Sequence, residues 1–279
     1  MTTTFETRYA SSPKAVKKYD TQELRDEFLI PDLMEPGNIK LTYTHYDRYI
    51  AGGAVPISAL KLETINPLKS DYFLERREMG IINVGANGSI SVDGEIYDIN
   101  HKDALYIGKG VKEVVFKSDN AKNPAKFYIN SAPAHKTFPT KKVSLAEANK
   151  IELGSLETAN HRIVNQMIIG GIVTTCQLQM GMTELKKGSV WNTMPAHVHD
   201  RRMEVYFYLD VPENQAVCHF MGQPQETRHI WMHNHQAVIS PPWSIHSGSG
   251  TSNYTFIWGM AGENLDYNDM DVSKITNLR

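Results

Sequence analysis

The chain has 279 residues, of which 41% are hydrophobic and 22% are charged, values typical of a globular protein with a sizeable core. Its formal net charge of −2 at pH 7 offers no basic surface from which nucleic-acid binding could be predicted. No run of about eighteen apolar residues predicts a membrane span, and the first residues lack the apolar segment of a signal peptide. The two cysteines, Cys176 and Cys218, predict free thiols rather than a disulfide framework.

The predicted elements begin with a polar arm and a helix. Residues 1–20 are polar and are predicted to form an N-terminal arm. Residues 21–29 open with a capping residue, Thr21, and carry Glu23 in the first turn, which predicts a short helix. From residue 39 onward Thr, Tyr and Ile become frequent, a composition that favours β-strands.

Short strands separated by turns are predicted for the remainder of the first half. Asn87-Gly88 and Asp93-Gly94 favour tight hairpin turns, because residues of these types accept positive φ at both central positions. The predicted strands cover residues 72–74, 79–84, 89–92, 95–99, 104–107, 113–117 and 125–130.

A connector rich in proline and lysine follows, with a helical turn predicted over residues 144–150. The β-like composition returns at His161, and the tail from residue 265 is polar and acidic, which predicts a short helix or an arm. In the second half, strands are predicted over residues 162–169, 174–180, 183–185, 205–209, 216–221, 226–232, 236–240 and 254–259. Many short strands with regular turns favour an all-β antiparallel sandwich or barrel.

The two halves resemble each other in sequence. ALYIGKGVKE (104–113) aligns with AVISPPWSIH (237–246), which sets Glu113 opposite His246, and the first half has no histidine opposite His197 or His199. A duplicated barrel with one degenerate copy explains this pattern, and chance similarity between two β-rich stretches is the alternative. The predicted domains are an N-terminal arm (1–20), a degenerate barrel (21–135), a connector (136–160), a metal-binding barrel (161–264) and a C-terminal tail (265–279).

A group of metal-ligand residues stands in the second half. His197 and His199 are separated by one residue, so in a strand both side chains point to the same face. Glu204 follows after four residues, and His246 comes after a Pro-Pro turn. Three imidazoles and one carboxylate suit a divalent ion such as Zn, Fe(II), Mn or Ni. Structural histidines on strands are the alternative, which is common for a lone histidine but does not account for this spacing.

The same residues resemble a known superfamily. MPAHVHDRRME (194–204) and ISPPWSIHSG (239–248) resemble the two motifs of the cupins, except that Trp243 stands where a glycine is usual. Longer stretches such as YFLERREMGIINVG, DALYIGKGVKEVVF and MGQPQETRHIWMHNHQAVISPPWSIHSG are similar to the 5-keto-4-deoxyuronate isomerases, a bicupin family of bacterial pectin breakdown. The resemblance runs from about residue 20 to the end of the chain.

This resemblance implies a bicupin fold of two antiparallel double-stranded β-helix barrels with a few short helices. It also implies one Zn²⁺ per chain, with His197, His199, Glu204 and His246 as ligands. The family's reaction interconverts 4-deoxy-L-threo-5-hexosulose uronate (5-dehydro-4-deoxy-D-glucuronate) and 3-deoxy-D-glycero-2,5-hexodiulosonate. The chain is thus expected to act on a small sugar acid, without nucleic-acid or membrane partners, as a cytoplasmic homo-oligomer that by resemblance is a hexamer.

Such an isomerase needs a group that moves a proton and a partner for the substrate carboxylate. Each candidate residue, taken alone, is more commonly a surface or barrel-lining side chain. The candidates for proton transfer are Glu204, Glu226, His229 and Tyr206, and those for substrate binding are Arg162, Arg202, Gln223 and Arg228.

Two other functions are compatible with the fold. An iron-dependent cupin dioxygenase has the same types of ligand and would consume oxygen. A non-catalytic bicupin would bind a sugar tightly without turning it over.

Overall fold

The computed structural model of the protein describes residues 3–279 and is built mainly of β-strands, which confirms the all-β prediction. The helical segments are α1 (Pro13–Val16), α2 (Thr21–Phe28) and two 3₁₀ helices, Asn66–Leu68 and Ile275–Asn277. None of the helices in residues 3–279 has the length and apolar character needed to cross a bilayer. Met1 and Thr2 of the predicted arm lie outside the described residues.

The strands up to residue 143, apart from β2, form two sheets. Their bounds are β1 Thr3–Arg8, β2 Leu29–Ile30, β3 Ile39–Thr44, β4 Ile50–Ala54, β5 Leu60–Lys61, β6 Arg77–Asn83, β7 Gly88–Val92, β8 Glu95–Ile99, β9 Ala104–Ile107, β10 Val114–Ser118, β11 Phe127–Pro133 and β12 Lys141–Val143. A seven-stranded sheet has the order β1-β3-β4-β11-β6-β9-β12, and a four-stranded sheet has the order β5-β10-β7-β8. We call this pair of sheets the first barrel.

The second half forms a further pair of sheets, which we call the second barrel. Its strands are β13 Asn149–Leu153, β14 Arg162–Ile168, β15 Gln179–Leu185, β16 Trp191–Asn192, β17 His197–Val198, β18 Arg202–Leu209, β19 Val217–Gln223, β20 Glu226–Met232, β21 Ala237–Ser240, β22 Ser247–Gly250, β23 Thr255–Gly262 and β24 Asp271–Val272. The seven-stranded sheet has the order β13-β14-β15-β23-β18-β21-β2, and the four-stranded sheet has the order β16-β22-β19-β20. The short strands β17 and β24 pair with each other.

The two barrels share one strand order, which supports the predicted duplication. β4-β11-β6-β9 corresponds to β15-β23-β18-β21, and β5-β10-β7-β8 corresponds to β16-β22-β19-β20. The registers correspond as well, since β6 pairs Met79 with Ile107 where β18 pairs Glu204 with Ser240. Met79 therefore has the place in the first barrel that Glu204 has in the second.

The interior of the first barrel is an apolar core. Met79, Ile81, Leu105 and Ile107 are all buried within one hydrophobic cluster, as the alternation of side chains along β6 and β9 requires. Glu113, which aligns with His246, lies at the surface in an ion pair with Lys61. The first barrel thus has aliphatic side chains and a surface carboxylate at positions where the second has metal-ligand residues.

Several local predictions are wrong, for reasons that the structure makes clear. Asp93-Gly94 is the predicted hairpin turn, with φ values of 46° and 90°, whereas Asn87-Gly88 joins β6 to β7, which belong to different sheets. The strands predicted over residues 72–74 and 174–178 are turns and loop, and the turn at residues 144–150 leads directly into β13. The helix cap is Asp20 rather than Thr21, because Asp20 and Glu23 form a reciprocal capping box.

The compact units of the chain differ from the predicted domain bounds. One unit contains residues 3–8, 32–148 and 167–180, and the other contains residues 9–31, 149–166 and 181–279. The predicted arm is partly strand, because β1 pairs in parallel with β3. Helix α2 belongs to the second unit, where the adjoining β2 pairs with β21, and the predicted tail contributes β24 to that unit.

Residues 167–180 belong to the first unit because of a buried carboxylate on β6. Both oxygens of Glu78 accept hydrogen bonds: Oε2 from the Tyr106 hydroxyl and the Cys176 amide, and Oε1 from the amides of Gln177 and Leu178, each at 2.8 Å. Glu78 is fully buried. A buried carboxylate is tolerated when its lone pairs are occupied in this way.

We therefore expect Glu78→Ala to destabilise the first unit by about 3 kcal/mol, because it leaves buried donors without acceptors. Urea unfolding followed by circular dichroism measures the change. Glu113→Ala is the matched control, since it removes only an exposed ion pair and is expected to change stability little. Equal stabilities of the two variants would contradict the structural role of Glu78.

Candidate metal centre

The predicted ligand residues converge inside the second barrel. His197 belongs to β17 and His199 follows it, while Glu204 lies on β18 and His246 immediately precedes β22. The ligand atoms of these side chains all lie within 4.8 Å of one another, and three of the four side chains are buried. A tight bend at residues 199–202, where the Arg202 amide donates to the His199 carbonyl, turns the chain back between β17 and β18. The bend lets Glu204 face the histidines.

The ligand atoms of the cluster lie close enough together to bind one metal ion. The Nε2 atoms of His199 and His246 each lie 3.0 Å from Glu204 Oε2, and His246 Nε2 lies 3.0 Å from His197 Nε2. Ligands about 2.0–2.2 Å from one tetrahedral ion are separated by about 3.3 Å. The donor set and its spacing therefore fit a divalent metal ion.

Two of the histidines are oriented by further hydrogen bonds. His199 Nδ1 donates to the Arg202 carbonyl at 2.9 Å, which leaves the lone pair of its Nε2 directed at the cluster. His246 Nδ1 lies 3.1 Å from the Ser240 hydroxyl. Such bonds fix the ring orientation and the tautomer of metal-binding histidines.

The electrostatics of the cluster keep its carboxylate ionised. Burial by itself would raise the pKa of Glu204, but His246 and His199 lie against the carboxylate and hold that pKa well below its usual value. Burial, reinforced by neighbouring His246, lowers the pKa of His197 to about 3. Burial also acts to lower the pKa of His199, but its hydrogen bond to Glu204 outweighs this effect and raises that pKa. In the metal-free protein the hydrogen bond between His199 and Glu204 therefore favours the charged form of both side chains.

A cavity of about 430 Å³ opens onto the cluster, a volume in the range of about 300–1,000 Å³ that is usual for small-molecule sites. Glu204 is the one carboxylate among the lining residues of the described chain, residues 3–279. The polar lining residues are Arg162, Thr183, Thr193, His197, His199, Arg202, Glu204, Tyr206, Tyr267 and Asn268.

Three other predicted site residues also line this cavity. Tyr206 lies two residues beyond Glu204 on β18, hence on the same face, and its hydroxyl is 2.8 Å from Thr193 Oγ1. Burial, with Glu204 nearby, raises the pKa of Tyr206 well above its usual value, so the phenol stays protonated. Arg162 donates to the Asn160 carbonyl at 2.8 Å, and Arg202 is fully buried and donates to the Asp269 carbonyl at 3.0 Å.

The remaining predicted site residues, Glu226, His229, Gln223 and Arg228, do not line this cavity. Glu226 and His229 are exposed on β20, at the edge of the four-stranded sheet, and Glu226 forms an ion pair with Lys17. Gln223 is exposed at the end of β19. Arg228 donates to backbone carbonyls of residues 16, 17 and 19, so it anchors α1. The alternation along β20 does not reveal that this strand lies away from the cluster.

Several residues that line the cavity were not predicted from the sequence. Thr193 has no local pattern that distinguishes it from other loop threonines. Tyr267, Asn268, Met270 and Val272 belong to the predicted tail. Their polar and acidic surroundings predict an arm, and no periodicity signals the pairing of β24 with β17.

Comparison with known proteins gives consistent matches. The model of the KduI/IolB family matches residues 28–275. A 4-deoxy-L-threo-5-hexosulose-uronate ketol-isomerase of Formosa agariphila is 78% identical over 280 residues, with both chains covered completely. An IolB-like protein from Salmonella typhimurium is similar in structure, with a TM-score of 0.68, 12% identity, and 88% of this chain and 96% of that chain covered. Lactobacillus farciminis oxalate decarboxylase has a TM-score of 0.55 at 10% identity, with 78% of each chain covered, a likeness of fold alone.

The raised pKa of His199 predicts how metal affinity depends on pH. A metal ion must displace the proton of this imidazole, so the apparent affinity should rise by up to about tenfold per pH unit until the pH exceeds the raised pKa. Because that pKa lies above 6.5 in the metal-free protein, the rise should continue beyond pH 6.5. Competition titrations with a chromogenic chelator between pH 5.5 and 8 measure this dependence, and a constant affinity above pH 6 would contradict it.

Proposed function

The chain belongs to the KduI/IolB family and is an isomerase, and from this premise we propose that it interconverts 4-deoxy-L-threo-5-hexosulose uronate and 3-deoxy-D-glycero-2,5-hexodiulosonate. The observation that carries the proposal is the cluster of His197, His199, Glu204 and His246, three of which line the cavity. A relative named for this reaction, identical at 78% of aligned positions over the whole chain, supports the choice of substrate.

The proposed cofactor is one Zn²⁺ per chain, held by the four cluster residues. Three imidazoles and one carboxylate are ligands that zinc accepts, and the hydrogen bonds to His199 and His246 support their role as ligands. When bound, the ion would act as a Lewis acid that stabilises negative charge on the substrate oxygens.

The reaction moves one proton between neighbouring carbons. A base removes the proton from the hydroxyl-bearing carbon beside the aldehyde, which gives an enediol, and the proton is returned to the former aldehyde carbon as the ketone forms. Glu204 is the proposed base, because it is the one carboxylate among the cavity residues of the described chain and is held ionised. In this role its carboxylate would be displaced from the ion when substrate binds. Tyr206, which stays protonated, is proposed to donate a hydrogen bond to the oxygen that becomes negative.

Arg162 is the proposed partner of the substrate carboxylate. It lines the cavity and is only partly buried, so its guanidinium can meet an incoming anion. Arg202 also lines the cavity, but it is fully buried and donates to the Asp269 carbonyl. We therefore propose a positioning role for Arg202 and direct carboxylate binding for Arg162.

The wider setting of the reaction is proposed from the family resemblance. We propose that the protein acts in bacterial pectin and uronate breakdown, that it is cytoplasmic and that it assembles as a hexamer. Elution volume with light scattering tests the assembly, and growth of a deletion strain on pectin fragments tests the pathway.

The ligand assignment predicts that His197→Ala and His246→Ala lose bound zinc and isomerase activity together, with the fold retained. His229→Ala is the matched control, because this exposed histidine on β20 lies outside the cavity and its loss should change neither property. Elemental analysis measures bound zinc, and an assay on 4-deoxy-5-hexosulose uronate measures isomerase activity. Full turnover by a variant without metal would contradict the assignment, and bound iron with oxygen uptake would favour a dioxygenase.

The role of Tyr206 predicts that Tyr206→Phe lowers kcat by about a hundredfold or more while bound metal and KM change little. Tyr208→Phe is the matched control, because Tyr208 is the next phenol on the same face of β18 but does not line the cavity. Steady-state kinetics give kcat and KM for both variants, and elemental analysis gives their bound metal. Unchanged kcat in Tyr206→Phe would remove this residue from the reaction.

A further inference from the structure

The chain beyond β23, residues 263–279, follows the second barrel closely instead of leaving it. We call these residues the C-terminal strap. At its start the Glu263 amide donates to the Arg201 carbonyl at 3.1 Å. At its end the Arg279 amide donates to the Pro224 carbonyl at 3.0 Å, and the Arg279 carbonyl accepts from the Thr227 amide at 2.6 Å. The strap is therefore attached at both ends.

Between these attachments the strap pairs with the strand that carries His197. In the antiparallel register His197 lies opposite Val272 and Val198 opposite Asp271, and the Ser273 amide donates to the Ala196 carbonyl at 2.9 Å. Within residues 3–279, β24 is the one strand with which β17 pairs. This pairing therefore holds the backbone of His197, and His199 directly follows the paired strand.

The strap also contacts the strand that carries the carboxylate ligand. Arg202 begins β18, two residues before Glu204, and its Nη2 donates to the Asp269 carbonyl at 3.0 Å. This guanidinium is fully buried. Since His199 Nδ1 donates to the carbonyl of the same Arg202, one residue joins the strap to two of the ligands.

Side chains of the strap form one wall of the cavity. Tyr267, Asn268, Met270 and Val272 all line it. The ring of Tyr267 packs against Trp258 of β23 with centroids 5.5 Å apart. The strap is consequently in contact with the space in which substrate would bind.

We propose that the C-terminal strap is part of the metal centre, and that the pairing of β24 with β17 positions His197 and His199 for metal binding. This inference deepens the proposed metal site and rests on it. The physical reason is that a two-residue strand with no other strand partner among residues 3–279 could otherwise take many positions. Pairing with the strap removes those alternatives before the metal binds.

A pair of proline variants tests the proposal. Ser273→Pro removes the amide hydrogen that bonds to the Ala196 carbonyl. Lys274→Pro is the matched control one residue further on, where φ is −60° and already suits a proline ring. We expect Ser273→Pro to bind zinc at least tenfold more weakly by chelator competition, and its cobalt(II) absorption bands to change in position or intensity. Lys274→Pro should match the unaltered protein in both measurements.

Two results would overturn the proposal. One is an unchanged zinc affinity and cobalt(II) spectrum for Ser273→Pro, and the other is an equal loss in Lys274→Pro. Thermal melting of the metal-free variants by circular dichroism shows whether the barrel itself has been damaged. If the unaltered protein binds no metal, the proposed metal site and this inference both fail, whereas loss of the inference alone leaves metal binding intact.

Hydrogen–deuterium exchange of the unaltered protein provides a test that needs no variant. Coupling between the strap and the metal site is reciprocal, so zinc should slow exchange in residues 268–273 as well as in residues 194–199. Slower exchange in residues 194–199 with no change in residues 268–273 would show that the strap is not coupled to the metal, even if Ser273→Pro fails to fold.

Discussion

The burial of one carboxylate among three imidazoles is the constraint on which the second barrel depends. Glu204 is only 4% exposed, and an ionised carboxylate removed from water costs several kcal/mol unless positive charge and hydrogen bonds compensate. In the protein alone, the imidazoles of His246 and His199 lie 3.0 Å from this carboxylate and lower its pKa, and a bound dication would provide positive charge. The hydrogen bonds from His199 to Arg202 and from His246 to Ser240 then serve one purpose, which is to hold the compensating groups in place.

The first barrel shows what the same scaffold becomes without this constraint. Its sheets have the same order, yet Met79 has the place of Glu204, and Ile107 has the place of Ser240, which orients His246. A candidate ligand and the residue that orients another candidate ligand are thus both replaced by apolar side chains. The result is a dry hydrophobic interior that can contribute to stability rather than to chemistry.

The sequence predicts the centre of the site well, because its residues are close together and follow strand periodicity. His197, His199 and Glu204 lie in one short stretch, and Tyr206 follows from the alternation along β18. Local patterns could not show that Glu226 and His229 lie on an edge strand, since strand order depends on pairings between distant segments. Tyr267 was missed for the same reason, because the contact of the strap with β17 joins parts of the chain with no shared pattern.

The charged side chains that line the cavity are mainly positive, whereas the chain as a whole is acidic. The protein has a net charge of −2, but the cavity is lined by Arg162 and Arg202 against the single carboxylate of Glu204. An anion inside the cavity therefore meets two guanidinium groups although the molecule as a whole is acidic, and concave walls of low polarisability concentrate their field. Because that field decays over about 8–10 Å at physiological ionic strength, added salt would slow the capture of an anionic ligand.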